Sequence, residues 1–223
     1  LEAVFERFDI PVVQKAGIRL EQMDKPSLPR VWFIKEDDTE LIQIQQDRFA
    51  HNWRKVMKDD KYPHYEEKIR PTFIENLNKF KDFLFEQNIG DIIPNQCEVT
   101  YVNHIILGED WSSYGQVGNV LTVIDPVYSN NFLSEPEEAR LALKYLIPDS
   151  DNPEGPPLGR LHISCEPAFL RKDNQPIFLL KLTARGKPIG EGLEGAIKFM
   201  DLGREWVVRG FTSITTESIH KTW

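Results

Sequence analysis

Two stretches of the sequence repeat apolar residues at helical spacing, whereas the residues between them do not. The first stretch comprises Ile69, Phe73, Leu77, Phe80 and Leu84, and the second comprises Leu193, Ile197, Met200, Val207, Phe211 and Ile214. Steps of three or four residues place such side chains on one face of a helix. The pattern predicts one helix over about 63–88 and a long C-terminal helix that includes Gly203 and Gly210.

Proline and glycine mark the ends of the first predicted helix. Pro71 lies inside it, and because proline removes an amide donor and crowds the preceding turn, it predicts a kink or a late start. Asn88 and Gly90 predict the end of the helix.

Short β-rich runs fill most of the remaining sequence. The runs cover residues 31–34, 41–46, 97–105, 139–147, 159–166 and 177–183. A turn at 36–39 predicts that the first two form a hairpin, and residues 47–55 read as an aromatic and basic turn after it. The short connections between the last three runs predict antiparallel neighbours. Residues 1–27 read as an irregular or short-strand approach.

These elements predict an α+β protein with a mostly antiparallel sheet in two pseudo-related halves. Each half is expected to be covered by one long amphipathic helix. At 223 residues the chain is long enough for one domain with a substantial core. We therefore predict a single domain, 1–223, with sub-halves of about 1–92 and 93–223.

Charge and cysteine content exclude several classes of protein. A formal net charge of −8 argues against a surface that neutralises many phosphates. Cys97 and Cys165 are far apart and form no CxxC pair, which predicts buried, reduced thiols in a cytoplasmic protein. No run approaches the roughly 20 apolar residues that a membrane helix needs. No cofactor is predicted.

Aromatic, basic and imidazole side chains cluster after the second strand. The cluster includes Arg48, His51, Asn52, Trp53, Arg54 and Tyr62. An arginine can hold a carboxylate or phosphate with two hydrogen bonds, an aromatic face can stack on a ring, and histidine exchanges a proton near neutral pH. The cluster is either a binding surface or the polar rim of a buried Trp53.

Two further groups of polar residues lie on predicted strands. Gln43 and Gln45 share one face of their strand, where they either line a polar cleft or form a solvated outer face. Asn103 and His104 are expected at the end of theirs, where a loop offers side chains to a ligand. The alternative for His104 is a bond to a backbone carbonyl.

Known catalytic and metal signatures are missing from the sequence. His51 with His64, and His162 with Cys165, are not completed by second pairs, so no metal site is predicted. The sequence contains no GxSxG, P-loop or HExxH motif. Hydroxyls near His220 are expected to bond to preceding helical carbonyls, and Trp223 to pack the helix end on the sheet. Catalytic residues stay unassigned.

Four sequence blocks resemble a known family. They are Leu28-Pro29-Arg30-Val31-Trp32-Phe33, the Gln-rich stretch that ends in Asn52-Trp53-Arg54-Lys55, Asn95-Gln96-Cys97-Glu98-Val99-Thr100-Tyr101-Val102-Asn103-His104-Ile105, and Phe211-Thr212-Ser213-Ile214-Thr215-Thr216. Together they resemble a sporadically distributed family of bacterial and archaeal proteins without an established activity. Such a distribution is common among genes of mobile elements and defence islands. The resemblance implies a prokaryotic toxin, antitoxin or defence-associated partner.

The leading functional hypothesis is therefore an interaction protein of antitoxin or defence-component type. It would bind a protein partner through its exposed sheet face and the region from Arg48 to Tyr65, with an apolar patch rimmed by Trp53 and Tyr62. The alternative is a small-molecule or nucleotide-binding module, and possibly an enzyme. Its pocket would be lined by Gln43, Gln45, Arg48, His51 and Asn103. RNA binding is disfavoured because Asp59 and Asp60 interrupt the basic run.

Overall fold

The computed structural model describes residues 30–57, 59–108, 111–124, 132–170 and 173–222. The predicted approach over residues 1–27 and the predicted packing of Trp223 lie outside them. The described residues are α+β with two antiparallel sheets, of three and four strands. They fall into two compact units, which meet in the chain between Ile89 and Gly90.

The first unit contains a three-stranded antiparallel sheet. Its strands are β1 (Val31–Ile34), β2 (Glu40–Gln45) and β3 (Arg48–Trp53), in spatial order β1-β2-β3. The predicted hairpin of β1 and β2 is confirmed. The expectation of a turn over 47–55 is wrong, because a turn at Gln46 and Asp47 returns the chain directly along β2 as a third strand.

A helix follows the sheet of the first unit. A π-helical turn, Tyr65–Ile69, precedes helix α1, Arg70–Glu86. Pro71 lies in the first turn of α1, so the α-helix begins next to the proline, directly after the π-helical turn, and not at residue 63. Phe73 and Phe80 contact the Phe49 ring of β3, with centroid distances of 5.8 and 5.6 Å. These rings pack α1 against one face of the sheet.

The second unit contains a four-stranded antiparallel sheet. Its strands are β4 (Cys97–Ile106), β5 (Leu141–Ile147), β6 (Gly159–Phe169) and β7 (Pro176–Gly186), in spatial order β4-β7-β6-β5. The predicted antiparallel arrangement of the last three strands is confirmed. A 3-10 helix, Tyr114–Asn119, follows β4. The chain then ends in α2 (Gly192–Ile214) and α3 (Glu217–Thr222).

Helix α2 packs closely on one face of this sheet. Phe199 is fully buried above two strand glycines, and a Cβ at Gly186 would lie 2.3 Å from its ring. A Cβ at Gly203 would lie 3.2 Å from Val99. The missing side chains allow the helix and the sheet to approach each other. Trp111 extends the same core through its ring contact with Phe178, at 4.5 Å.

Candidate functional site

The sequence-predicted residues of β2 and β3 divide between two faces of the first sheet. Strand alternation and register place Gln43, Gln45, Arg48 and Asn52 on one face. His51 and Trp53 lie on the other face, with Glu40 and the Phe49 ring that contacts α1. These six residues therefore do not converge on one ligand.

Asn103 and His104 belong to the second unit and point to opposite faces of β4. Their expected place at a strand end is wrong, because β4 continues to Ile106. Asn103 is buried, and its side-chain amide donates to the Leu180 carbonyl at 3.4 Å. His104 is exposed. Within the first unit, Gln43, Gln45 and Arg48 lie on the opposite face of the sheet from His51, so these four residues do not line one pocket as predicted.

Gln43 is buried, so the expectation of a solvated face does not hold at this position. Its side-chain nitrogen donates to Oε1 of Gln45 at 2.9 Å. A buried amide requires a hydrogen-bond partner, and here Gln45 provides one. The pair is a structural feature of β2.

Arg54 holds the β1–β2 turn. Its Nε donates to the Asp38 carbonyl at 2.8 Å, and its guanidinium lies 3.9 Å from the Asp38 carboxylate. Its backbone amide donates to the Thr39 carbonyl at 2.8 Å. Asp38 adopts a positive φ of 58°, a conformation that L-residues other than Asn and Asp rarely adopt. Arg54 therefore stabilises a constrained turn.

A buried His–Glu pair lies at the α1-covered face. The side chain of His51 is only 2% exposed, and its Nε2 lies 3.2 Å from Oε2 of Glu40. The other carboxylate oxygen of Glu40 lies 3.2 Å from Lys35 Nζ and 3.9 Å from Lys68 Nζ. Two lysines thus offset the charge of the carboxylate.

Burial and charge shift the proton equilibria of this pair. Burial opposes ionisation of Glu40, but hydrogen bonds from Lys35 and His51 outweigh it and lower the pKa of Glu40. Burial lowers the pKa of His51, against the opposing effect of Glu40. At neutral pH a neutral imidazole therefore donates from Nε2 to the carboxylate. Nδ1 is then an acceptor, and no partner for it is found in the described part of the chain.

A small cavity of about 160 Å³ adjoins this cluster. Its lining includes Lys35, Glu40, Trp53, Lys61 and Lys68. The Trp53 ring meets the ring of Tyr62 edge to face, with centroids 5.3 Å apart. The aromatic and ionic side chains of this region are therefore adjacent, and Lys35, Lys68 and His51 already contact Glu40.

All four residues of β1 are apolar and exposed, and sequence analysis assigns none of them to a site. Val31, Trp32, Phe33 and Ile34 are 42%, 43%, 58% and 52% exposed. A strand normally buries every second side chain, so exposure on both faces is unusual. The sequence gives no signal of this exposure, because an unbroken apolar run is typical of a strand that is buried on both faces.

The second unit contains a cavity of about 360 Å³ between α2 and the β5–β6 hairpin. The apolar part of its lining includes Tyr145, Leu161, Ile163 and Trp206. Arg209 and Glu205, which form an ion pair of 2.7 Å, lie at its polar side. None of the sequence-predicted site residues lines it.

Other candidate reactive groups are structural. Cys97 and Cys165 are buried and free, and burial raises their pKa values to about 11 and about 12. Thr215 donates to the Phe211 carbonyl at 2.7 Å, as expected for helical hydroxyls, and lies 2.8 Å from His220 Nε2. Among the described residues no group of three His, Cys, Asp or Glu side chains is placed to hold a metal ion.

Comparison with known proteins identifies no similar protein. No protein-family model matches the chain, and neither the curated proteins nor the solved structures contain a significant match. In the described part of the chain, no helix has the length and apolar character needed to span a membrane. The resemblance described above therefore stays a prediction.

Proposed function

We propose that the protein is an interaction protein whose partner adds an extended strand to β1. The observation that carries the proposal is the exposure of all four apolar side chains of Val31–Ile34 at the edge of a three-stranded sheet. Such edges are sites of strand addition, in which main-chain hydrogen bonds provide affinity and side-chain contacts provide specificity.

Backbone geometry identifies the groups that a partner strand would bind. The Lys35 amide donates to the Glu40 carbonyl at 3.0 Å, so these two residues form a hydrogen-bonded pair. Such pairs alternate along an antiparallel ladder. Val31 and Phe33 therefore bond to β2, whereas the amides and carbonyls of Trp32 and Ile34 point to the free edge.

Several finer features of the proposal rest on sequence alone. The resemblance to a sporadically distributed prokaryotic family supports an antitoxin or defence-component role in the cytoplasm. We also propose that the two units are pseudo-related halves. In each of them an antiparallel sheet precedes a helix that we interpret as amphipathic. Under this proposal they belong to one domain.

Native mass spectrometry of the protein purified gently from its host tests the proposal. A stoichiometric protein partner is expected with the wild-type chain. Ile34→Pro should abolish the complex without unfolding the sheet, because it removes only an amide that points outward. Trp32→Glu should abolish it by placing a charge in the contact.

Phe85→Glu is the matched control, because Phe85 is a largely exposed aromatic residue in the same unit. It should leave the complex intact. Loss of the partner in the control as well, or its retention in both β1 variants, would contradict the proposed surface. A complex that contains only two copies of the chain would identify self-association instead.

The cavity in the second unit favours a second candidate function, the binding of a small molecule. A volume of about 360 Å³ lies at the lower end of the range for ligand pockets. Its apolar walls suit a compact molecule with an aromatic or branched aliphatic body. The Arg209–Glu205 pair at its polar side suits a polar substituent on that body.

The same mass spectra test this candidate. A small-mass adduct should accompany the wild-type chain and disappear in Val123→Phe, because Val123 lines the cavity and the larger ring would occupy it. Val56→Phe, at an exposed residue that does not line this cavity, is the control. A wild-type chain without an adduct would count against the small-molecule function.

A further inference from the structure

The face of the four-stranded sheet that points away from α2 gathers basic side chains. We call it the open face and define it by the even-numbered residues of β4, β5 and β6 and the odd-numbered residues of β7. It carries the basic residues Lys144, Arg160, Lys181 and Arg185 and the acidic residues Glu98 and Glu166. An excess of positive charge here contrasts with the formal charge of −8 on the whole chain.

Like charges lie directly opposite each other near one end of this face. Arg160 of β6 is the cross-strand partner of Arg185 of β7. Arg185 pairs with Glu98 at 2.6 Å, whereas among the described residues neither Arg160 nor Lys181 forms an ion pair. Directly opposed like charges destabilise a sheet. Glu98 offsets the charge of Arg185, and an anion from another molecule would offset the charge of Arg160.

The pKa of His162 is affected by the same positive charges. It is half-buried on the open face, directly across from Lys144. Burial lowers its pKa, and the nearby charges of Lys144, Arg185 and Arg160 lower it further, against a smaller opposing effect of Glu98. Three basic side chains are therefore close enough to affect the same histidine.

Apolar side chains flank the basic cluster on both edges of the sheet. Val102 and Ile106 of β4 are 52% and 50% exposed, and Leu146 of β5 is 59% exposed. No Phe, Tyr or Trp side chain of the four described strands belongs to the open face. Single-stranded nucleic acids are usually held by stacking on aromatic rings, so the composition favours a protein over a nucleic acid.

We propose that the open face binds an acidic segment of a partner protein, one in which carboxylates alternate with aliphatic side chains. The carboxylates meet Lys144, Arg160 and Lys181, and the aliphatic side chains meet Val102 and Leu146. The acidic remainder of the molecule repels such a segment and directs it to this face. The proposal is independent of strand addition at β1, which belongs to the first unit.

Fluorescence anisotropy with a short labelled peptide of alternating Glu and Leu tests the proposal on the full chain. The peptide should bind, and its affinity should fall with rising salt concentration because charge pairing is screened. Lys144→Glu combined with Arg160→Glu should weaken binding by about tenfold or more, since truncating or reversing charges at an interface commonly has effects of this size. Leu146→Ser should weaken binding at every salt concentration.

Lys55→Glu combined with Lys81→Glu is the matched control, because both lysines are exposed in the first unit and the change in net charge is the same. It should bind the peptide nearly as the wild type does. Equal loss in both double variants, or no binding to the wild type, would overturn the proposal. Tighter binding of a labelled oligothymidylate than of the peptide would overturn it too, because the open face would then be a nucleic-acid site.

Discussion

At the scale of single residues, the buried His51–Glu40 pair is a part of the first unit whose stability depends on pH. His51 is buried with its Nε2 against a carboxylate that two lysines also approach. The balance of burial and charge keeps the ring neutral in the folded state. The pair therefore acts as a structural hydrogen bond at neutral pH, and acid is expected to weaken the fold at this site.

We predict that His51 contributes to a loss of stability as the pH falls below 6.5, the ordinary pKa of histidine. The pKa of His51 is lowered in the folded chain from an ordinary value of 6.5. Below that value the unfolded chain binds more protons than the folded chain, so the free energy of unfolding decreases as pH falls. Urea unfolding of the wild type and of His51→Gln at several pH values measures this slope.

The His51→Gln variant should lose less stability over this interval, because glutamine keeps a donor for Glu40 but does not titrate. His162, whose pKa is also lowered, is present in both proteins and contributes equally to the pH dependence of their stability. Identical pH slopes for the two proteins would show that His51 is not the group responsible.

At the scale of secondary structure elements, α2 covers one face of the core of the second unit. Phe199 is fully buried against Gly159 and Gly186, and Val207 and Ile214 continue the same face. A buried phenylalanine in such a tight contact cannot be removed without leaving a cavity.

We predict that Phe199→Ala lowers the free energy of unfolding by roughly 3–5 kcal/mol, the range for buried aromatic residues. Phe85→Ala, at a largely exposed position of α1, should change it by less than about 0.5 kcal/mol. Thermal or urea unfolding provides the comparison. Similar losses in both variants would argue against the packing of α2 described above.

The sequence predicts which elements exist better than where their polar residues lie. Apolar spacing was sufficient to locate α1 and α2, and β-rich runs located β1, β2 and β4–β7. Strand β3 was missed because its polar residues and short turn resemble a loop, although Phe49 anchors α1. Asn103 was misplaced because a polar residue inside a strand looks like its end.

At the scale of the whole molecule, the sequence does not predict either of the two surfaces that we propose for partners, and the reasons differ. The apolar run Val31–Ile34 predicts a strand, but the sequence does not show that this strand lies at the edge of its sheet. The basic cluster of the open face combines Lys144 of β5, Arg160 of β6 and two residues of β7, so only the register brings them together. A net charge of −8 argues against a surface that neutralises many phosphates, but an acidic protein can still carry one basic face.

The central claim for function is that β1 is an edge strand, because among the described strands only β2 pairs with it. If a partner strand adds there, the amides that change are those of Trp32 and Ile34. Val31 and Phe33 already donate to β2 in the free chain under the alternation set by Lys35 and Glu40.

Residue-resolved amide hydrogen exchange of the free protein and of its host-purified complex therefore tests the account most directly. We predict that the Trp32 and Ile34 amides exchange rapidly in the free chain and become protected in the complex, while Val31 and Phe33 change little. A complex in which the Trp32 and Ile34 amides exchange as they do in the free chain would contradict strand addition at β1.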